Sequence, residues 1–339
     1  MKNIFRLALA LSLFTACGVP ETDAELPSES AAQDLAEDSL DVRLSAVNES
    51  VDAADPVSVT LTLANKSSRT VRVLRVKTAV NGLLQPIFAV ERDGVPIDYR
   101  GVIATPDESN DAAYLKLEPG QVVAHTVDLA SSYDFSASGT YRVVYDSSDP
   151  QAEAQLWVAG RAFETAAPND KAISACNDTQ TNRIYLSWGA ARDAVNGILT
   201  YLRQGAREDW RFRTWFGNPQ EWKWSMIQER FAFMSGLFDR RDVACRTNSD
   251  ANCPGNIAYT YGGGNERIYL CPPFFDSGRA YSGHAYSSAG VFVHEMAHIS
   301  GALQTPEVYE RQACQQLVLD DNWRARNNAQ NYDFFTVEP

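Results

Sequence analysis

From about Leu40 to Val158 apolar and polar residues alternate with a period of two. Val57, Val59, Leu61 and Leu63 are separated by Ser58, Thr60 and Thr62. Val71 and Val73 flank Arg72, and Tyr141, Val143 and Tyr145 share one side of a run that opens at Gly139. Side chains alternate between the two faces of a strand, so each run presents one apolar face. Turn-forming stretches punctuate the runs: Asn65 to Ser68, Asp93-Gly94, Glu118-Pro119-Gly120 and Ser136 to Gly139. Short alternating strands at this spacing predict an antiparallel β-sandwich of about seven strands.

Farther along, the period lengthens. Ile184, Trp188, Ala191, Val195, Ile198, Leu199 and Leu202 recur at three and four, while Arg183, Arg192, Asp193 and Asn196 lie off that stripe. This is an amphipathic helix over residues 182–203. A second helix is expected over residues 222–238, with Trp222, Met226, Phe233 and Leu237 inward. Tyr259 to Tyr261 and Arg267 to Cys271 read as a β-hairpin around Gly262-Gly263-Gly264-Asn265. Those glycines form a turn and not a phosphate loop, because no helix opening with Lys-Ser or Lys-Thr follows. The fold class is therefore α+β. A β-sandwich over residues 40–159 precedes a mainly helical domain with a small hairpin over residues 172–339. Residues 160–171 are polar and contain Pro168, as an exposed linker open to nicking would.

The chain of 339 residues is long enough for two domains. Residues 1–17 form a signal segment, with Lys2 and Arg6 before an apolar run from Leu7 to Phe14 and small residues at Thr15-Ala16. That run is too short to remain in a bilayer as a spanning helix. Phe14-Thr15-Ala16-Cys17 resembles the lipobox of bacterial lipoproteins, which implies lipidation at Cys17; ordinary secretion is the alternative. Either way the protein is expected to leave a bacterial cell, secreted or lipid-anchored in the envelope. Residues 18–39, rich in Glu, Asp, Ser, Ala and Pro, read as a disordered tether. A net charge of −13 argues against nucleic acid and anionic membrane surfaces as partners, leaving a lipid anchor as the one membrane link.

The chemistry concentrates in Val291 to Gly301. His294-Glu295-Met296-Ala297-His298 lies in a stretch with neither Gly nor Pro from Val291 to Ser300, so a helix is expected. Residues four apart share a helix face, so both imidazoles can address one Zn²⁺, with Glu295 in reach of a water as general base. Two of the chain's four histidines fall here; His125 lies in a strand-like run and His284 upstream. A third ligand is still needed. The long metzincin motif would place a histidine at position 304, which is Gln304. The next acidic residue is Glu307, nine positions after His298. No Cys-x-x-Cys offers a cysteine zinc site.

The surrounding residues resemble the aspzincins, the deuterolysins and peptidyl-Lys metalloendopeptidases. Thr305, Glu307 and Tyr309 follow the histidines as that family's Thr, metal aspartate and Tyr do. Gln312 to Leu317, Trp215-Phe216-Gly217, Ile268 to Cys271 before Pro272 and Phe274-Phe275, and Asn328-Ala329 running into Asp333-Phe334-Phe335 continue the likeness. It covers about Cys176 to the end. The chain departs in having Glu307 for the aspartate, a Glu-to-Tyr interval one residue shorter, and Gln304 and Glu310 for two motif glycines; Glu310 competes with Glu307 as third ligand.

The resemblance implies a zinc metalloendopeptidase with one Zn²⁺ per catalytic domain, held by His294, His298 and Glu307. It implies Glu295 as general base and Tyr309 as donor to the oxyanion. An edge strand at residues 257–261, including Tyr259, is expected to bind the substrate backbone. Asp333 is the candidate for recognising lysine after the cut bond, although Gln330 stands where the lysine-selective members carry an acid. The family's disulfides would fall at Cys176–Cys245 and Cys253–Cys271, with Cys314 left buried and free. The N-terminal domain is similar to deuterolysin pro-regions and is expected to cover the cleft of a zymogen. Partners are then protein or peptide substrates and the chain's own pro-domain, in a monomer. The rival is a non-catalytic envelope lipoprotein whose zinc is structural; an intact Glu295 argues against it.

Overall fold

The computed structural model describes residues 40–145, 152–161, 173–240, 242–263, 266–301 and 306–338. The signal segment with Cys17, the tether, most of the linker, the hairpin tip at Gly264-Asn265, and Gln304 and Thr305 lie outside the described residues.

Eleven strands come first among the described residues: β1 (Leu40–Ala46), β2 (Ser50–Val51), β3 (Ser58–Asn65), β4 (Val71–Leu74), β5 (Phe88–Arg92), β6 (Val95–Ile97), β7 (Val102–Pro106), β8 (Tyr114–Leu117), β9 (Val122–Asp128), β10 (Gly139–Tyr145) and β11 (Glu153–Val158). One sheet runs β1-β3-β9, a second β2-β11-β10-β5-β6, and β4 pairs with β8. Alternation decides which face is buried. Val57, Val59, Leu61 and Leu63 from one sheet meet Val90, Tyr141, Val143 and Leu156 from the other in one core. Register follows from that burial, since a slip of one residue would turn Leu61 and Leu63 outward. Leu61 pairs with Leu44 on one side and His125 on the other.

The sandwich has more and shorter strands than the sequence pattern predicts, and one leaves it altogether. β7 joins the C-terminal domain in a sheet ordered β12 (Val243–Cys245), β14 (Ile268–Leu270), β13 (Asn256–Tyr261), β7. Its sequence, Val-Ile-Ala-Thr-Pro, is small and apolar and can be buried on both faces; Ile103, Ala104 and Thr105 are all buried.

The C-terminal domain packs seven described helices around that sheet. They are α1 (Asp178–Leu202), α2 (Trp210–Phe216), α3 (Glu221–Leu237), α4 (Ser288–Ile299), α5 (Arg311–Asp320), α6 (Asn322–Arg326) and α7 (Ala329–Val337). Asn177 caps α1 by accepting from the Gln180 N–H at 2.9 Å, and Gln180 returns the bond in a capping box. The α1 stripe read from the sequence is buried throughout. In α3 Leu237 is buried as expected, but it is joined by Trp224, Ile227, Phe231 and Met234, whereas Trp222 and Phe233 are exposed and Met226 is half-buried. Disulfides join Cys176 to Cys245, fastening the start of α1 to β12, and Cys253 to Cys271, clipping the loop before β13 to the end of β14. No described helix is long and apolar enough to cross a membrane.

Helix α4 sits in the middle, buried from Ser288 to His298. Its apolar residues Val291, Phe292, Val293 and Met296 share one core with α1, α3 and α7. A helix enclosed this fully cannot rotate or fray, so side chains on its remaining face are held rigidly. A separate apolar cluster lies where the two domains meet: Leu74, Val76, Leu84, Ala104 and Ala113 from the sandwich pack on Tyr259, Tyr269 and Tyr309.

Candidate metal centre and the strand across it

On α4, His294 and His298 are one turn apart and their Nε2 atoms lie 3.1 Å from each other. Glu307, arriving on the loop before α5, places Oε2 3.2 Å from the first and 3.3 Å from the second. A tetrahedral zinc with bonds of about 2.0–2.1 Å separates neighbouring ligand atoms by roughly 3.3 Å, so the three atoms stand at the spacing of three of its corners. The Glu307 Oε2 is buried and takes no hydrogen bond. A bare carboxylate oxygen facing two imidazole nitrogens is costly to bury without a cation among them, so the donor set fits the metal. Burial alone would raise the Glu307 carboxyl; the His298 and His294 imidazoles outweigh it and hold the group well below the ordinary carboxylate range.

A second layer fixes the ligands. The Gln330 carbonyl lies 3.0 Å from His294 Nδ1, which makes Nδ1 the protonated nitrogen and leaves Nε2 free for a metal. Gln330 in turn donates to Asp333 Oδ2 at 3.0 Å, and the Tyr286 N–H donates to the same oxygen at 2.9 Å. Burial pushes the Asp333 carboxyl up to about 6. It lies against α4 at Gly290, where a Cβ would come within 2.4 Å of Oδ1. Ala329 N–H donates to Glu307 Oε1 at 2.9 Å, while Asn328 grips Val308 at both its N–H and its carbonyl, at 2.9 and 2.8 Å. These bonds anchor the short Glu307–Tyr309 loop to the start of α7.

Glu295 is wholly buried between the histidines, and burial, aided by the nearby Glu307, raises its carboxyl to about 7 despite His294 and Thr105. The Thr105 hydroxyl donates to its Oε1 at 2.6 Å, and its Oε2 takes no hydrogen bond. The Tyr309 ring lies nearly parallel to that of His294, 6.1 Å away. Gln85 Nε2 donates to the Tyr309 hydroxyl and, at 3.1 Å, to the Ala104 carbonyl, which lies 3.4 Å from the same hydroxyl. Burial pushes the Tyr309 phenol well above its usual range, with Glu307 adding to it.

Thr105, Ala104 and Gln85 all belong to the N-terminal domain. β7 runs antiparallel to β13, pairing Ile103 with Thr260, Ala104 with Tyr259 and Thr105 with Ala258. At its ends the Asp107 N–H donates to the Gly255 carbonyl at 2.8 Å and the Gly262 N–H to the Gly101 carbonyl at 3.0 Å. Gly262 permits this approach, because a Cβ there would lie 2.6 Å from the Tyr99 carbonyl oxygen.

The structure thus gathers His294, Glu295, His298, Glu307 and Tyr309 at one point. Glu310 stands apart at the N-cap of α5. Tyr259 contributes backbone to the cleft edge, but its ring stacks on Tyr269 at 4.7 Å and its hydroxyl donates to Asp250 at 2.9 Å. Asp333 is 1 % exposed and lies behind His294, bonded through Gln330. Cys314 is free and buried, and burial holds its thiol well above the usual value. Sequence reasoning missed Gln85, Thr105 and the positioning part of Gln330. A lone glutamine in the apolar run Leu83 to Phe88 is the only local signal for the first.

A family model described as lysine-specific metallo-endopeptidase, the aspzincins, matches residues 201–337, which hold every ligand candidate. The chain's C-terminal domain is an aspzincin-type zinc metalloendopeptidase domain. An extracellular protease of Aeromonas hydrophila is 28 % identical over 326 residues, 87 % of this chain and 91 % of that one. A neutral protease 2 homolog of Uncinocarpus reesii is 22 % identical over 305 residues, 81 % of this chain and 85 % of that one. A solved zinc peptidase from Grifola frondosa is 25 % identical, covering 48 % of this chain and 96 % of its own, with a TM-score of 0.43. The first two alignments are longer than either domain, so the likeness to those proteases includes the sandwich. The Grifola match covers about half of the chain.

Proposed function

We propose that the protein is exported as an inactive precursor whose N-terminal domain occupies its own active site, and that its removal yields the working endopeptidase. The observation that carries this is β7, which pairs with β13 and brings Thr105 to Glu295 and Ala104 to Tyr309. Export is supported by the signal segment and by the extracellular designation of the Aeromonas relative.

In the open enzyme a substrate strand takes the edge of β13 that β7 now fills. His294, His298 and Glu307 would hold zinc, which when bound acidifies water and polarises the scissile carbonyl. Glu295, enclosed and with a carboxyl near neutrality, takes the proton of an attacking water and passes it to the leaving amine. Tyr309 donates its phenolic proton in a hydrogen bond to the substrate oxygen that gains charge. Gln330 holds the His294 tautomer, and Asn328 holds the loop carrying Glu307 and Tyr309. A preference for lysine after the cut bond belongs to the same proposal; its support is the description of the matching family model, since Asp333 packs against Gly290 behind His294.

The test is casein and peptide hydrolysis by zinc-loaded full chain, folded intact and then cut in the linker, beside uncut chain and Glu295→Gln. Activity in cut wild type alone, with zinc retained in the variant, supports the reading. Equal hydrolysis by cut wild type and Glu295→Gln would defeat it, and mapping the cut bonds decides the lysine preference.

A further inference from the structure

β7 supplies a register for the cleft. The Ala104 carbonyl faces the Tyr309 hydroxyl, and the next side chain, Thr105, meets Glu295. On the reading proposed above, the bond cut in a substrate lies where Ala104–Thr105 lies here. Thr105, Pro106 and Asp107 then mark the first, second and third residues of the leaving fragment.

The third of these meets a charge. Arg279 Nη2 lies 3.7 Å from Asp107 Oδ2, and the two side chains are only 12 % and 10 % exposed. The guanidinium is built into its place: Nε donates to the Pro273 carbonyl at 3.1 Å and Nη1 to the Tyr286 carbonyl at 2.7 Å. Both carbonyls belong to the C-terminal domain, so the fork stays oriented when the N-terminal domain leaves. Burial lowers its pKa, Asp107 and Asp276 oppose this and Arg183 adds to it; an arginine remains charged through such shifts. Removal of Asp107 therefore uncovers a fixed, partly desolvated cation at the far end of the cleft, where a carboxylate ligand is strongly favoured. This runs against the chain's net charge of −13, which by itself disfavours acidic peptides.

We propose that Arg279 is a specificity-determining residue of the protease, selecting substrates with a carboxylate at the third residue after the cut bond. An aspartate or glutamate side chain at that position supplies it, in the manner of Asp107.

The test uses zinc-loaded full chain, folded intact and cut in the linker, with peptides that differ only in that third residue: Asp, Asn or Lys. A fourth peptide ends there with a free carboxylate beside its amidated twin. Wild type should cleave the Asp peptide roughly tenfold more efficiently than the Asn peptide, through KM with kcat little changed, and the Lys peptide least. Arg279→Gln should abolish the ranking while leaving the Asn peptide near its wild-type rate, and Arg279→Lys should restore part of it. A preference confined to the free-terminus peptide would overturn the side-chain assignment. An unranked wild type, needing no variant, would overturn the proposal, as would a ranking unchanged in Arg279→Gln. Absence of cleavage of all peptides and casein would instead strike the protease reading beneath it.

Discussion

The Thr105 hydroxyl donates a 2.6 Å hydrogen bond to the Glu295 carboxylate, from a residue 190 positions earlier in the chain. The threonine thereby fills one acceptor position of the carboxylate that would otherwise be open to a water.

Thr105→Val keeps the shape of the strand and removes this donor. A buried hydrogen bond to a charged group is worth about 1.5–3 kcal/mol. The uncut, zinc-loaded variant is expected to hydrolyse a small peptide at least roughly tenfold faster than uncut wild type, with no change once both are cut and the N-terminal domain is gone. Equal rates in the uncut proteins would show that Thr105 is a bystander.

Gln330→Leu removes the acceptor at His294 Nδ1 and leaves Asp333 without one of its two donors. Loss of such an outer partner typically weakens a metal site about 10–100-fold. Competition with a chromogenic chelator should show zinc held that much less tightly, with little change in circular dichroism. Unaltered zinc affinity would mean that packing alone orients the ring.

Asp333 sets a pH dependence. Its carboxyl is raised to about 6 in the fold, from an ordinary 3.8, chiefly by burial. The folded state therefore favours the protonated form: its stability is fully present below about pH 4 and declines as pH rises through about 6. The ionised group then costs on the order of 3 kcal/mol. Asp333→Asn cannot ionise, so in metal-stripped protein the urea midpoint of the variant should gain on wild type between pH 4 and 7. A constant difference between the two proteins across that range would refute the burial cost.

Much of this was legible in the chain, and what was not has physical reasons. The alternation from Val57 to Leu63 and the stripe from Ile184 to Leu202 each have one apolar face, and both are buried as read. Helix α3 has apolar residues on two faces, so its period alone cannot say which turns inward. Trp222 lies outside with the Arg326 guanidinium 4.9 Å from its ring, while Trp224 goes in and donates to the Leu202 carbonyl. His294, Glu295 and His298 announce themselves by spacing within one turn. Glu307 and Tyr309 were reachable through family likeness. Gln85 and Thr105 follow from neither, because their meaning arises only when two domains close, and no local periodicity encodes a contact across 190 or 224 residues.

β7 has a consequence for timing. Both of its ends run back into the sandwich, so a cut between residues 161 and 173 severs the connection without touching the strand that fills the cleft. Before that cut the two halves belong to one molecule and meet at an effective concentration and not at their bulk one. Afterwards they meet only as often as two separate molecules do. On the precursor reading proposed above, nicking would convert a fixed inhibition into one that fades with dilution: crowded near its source the cut enzyme would stay quiet, and it would awaken as it disperses.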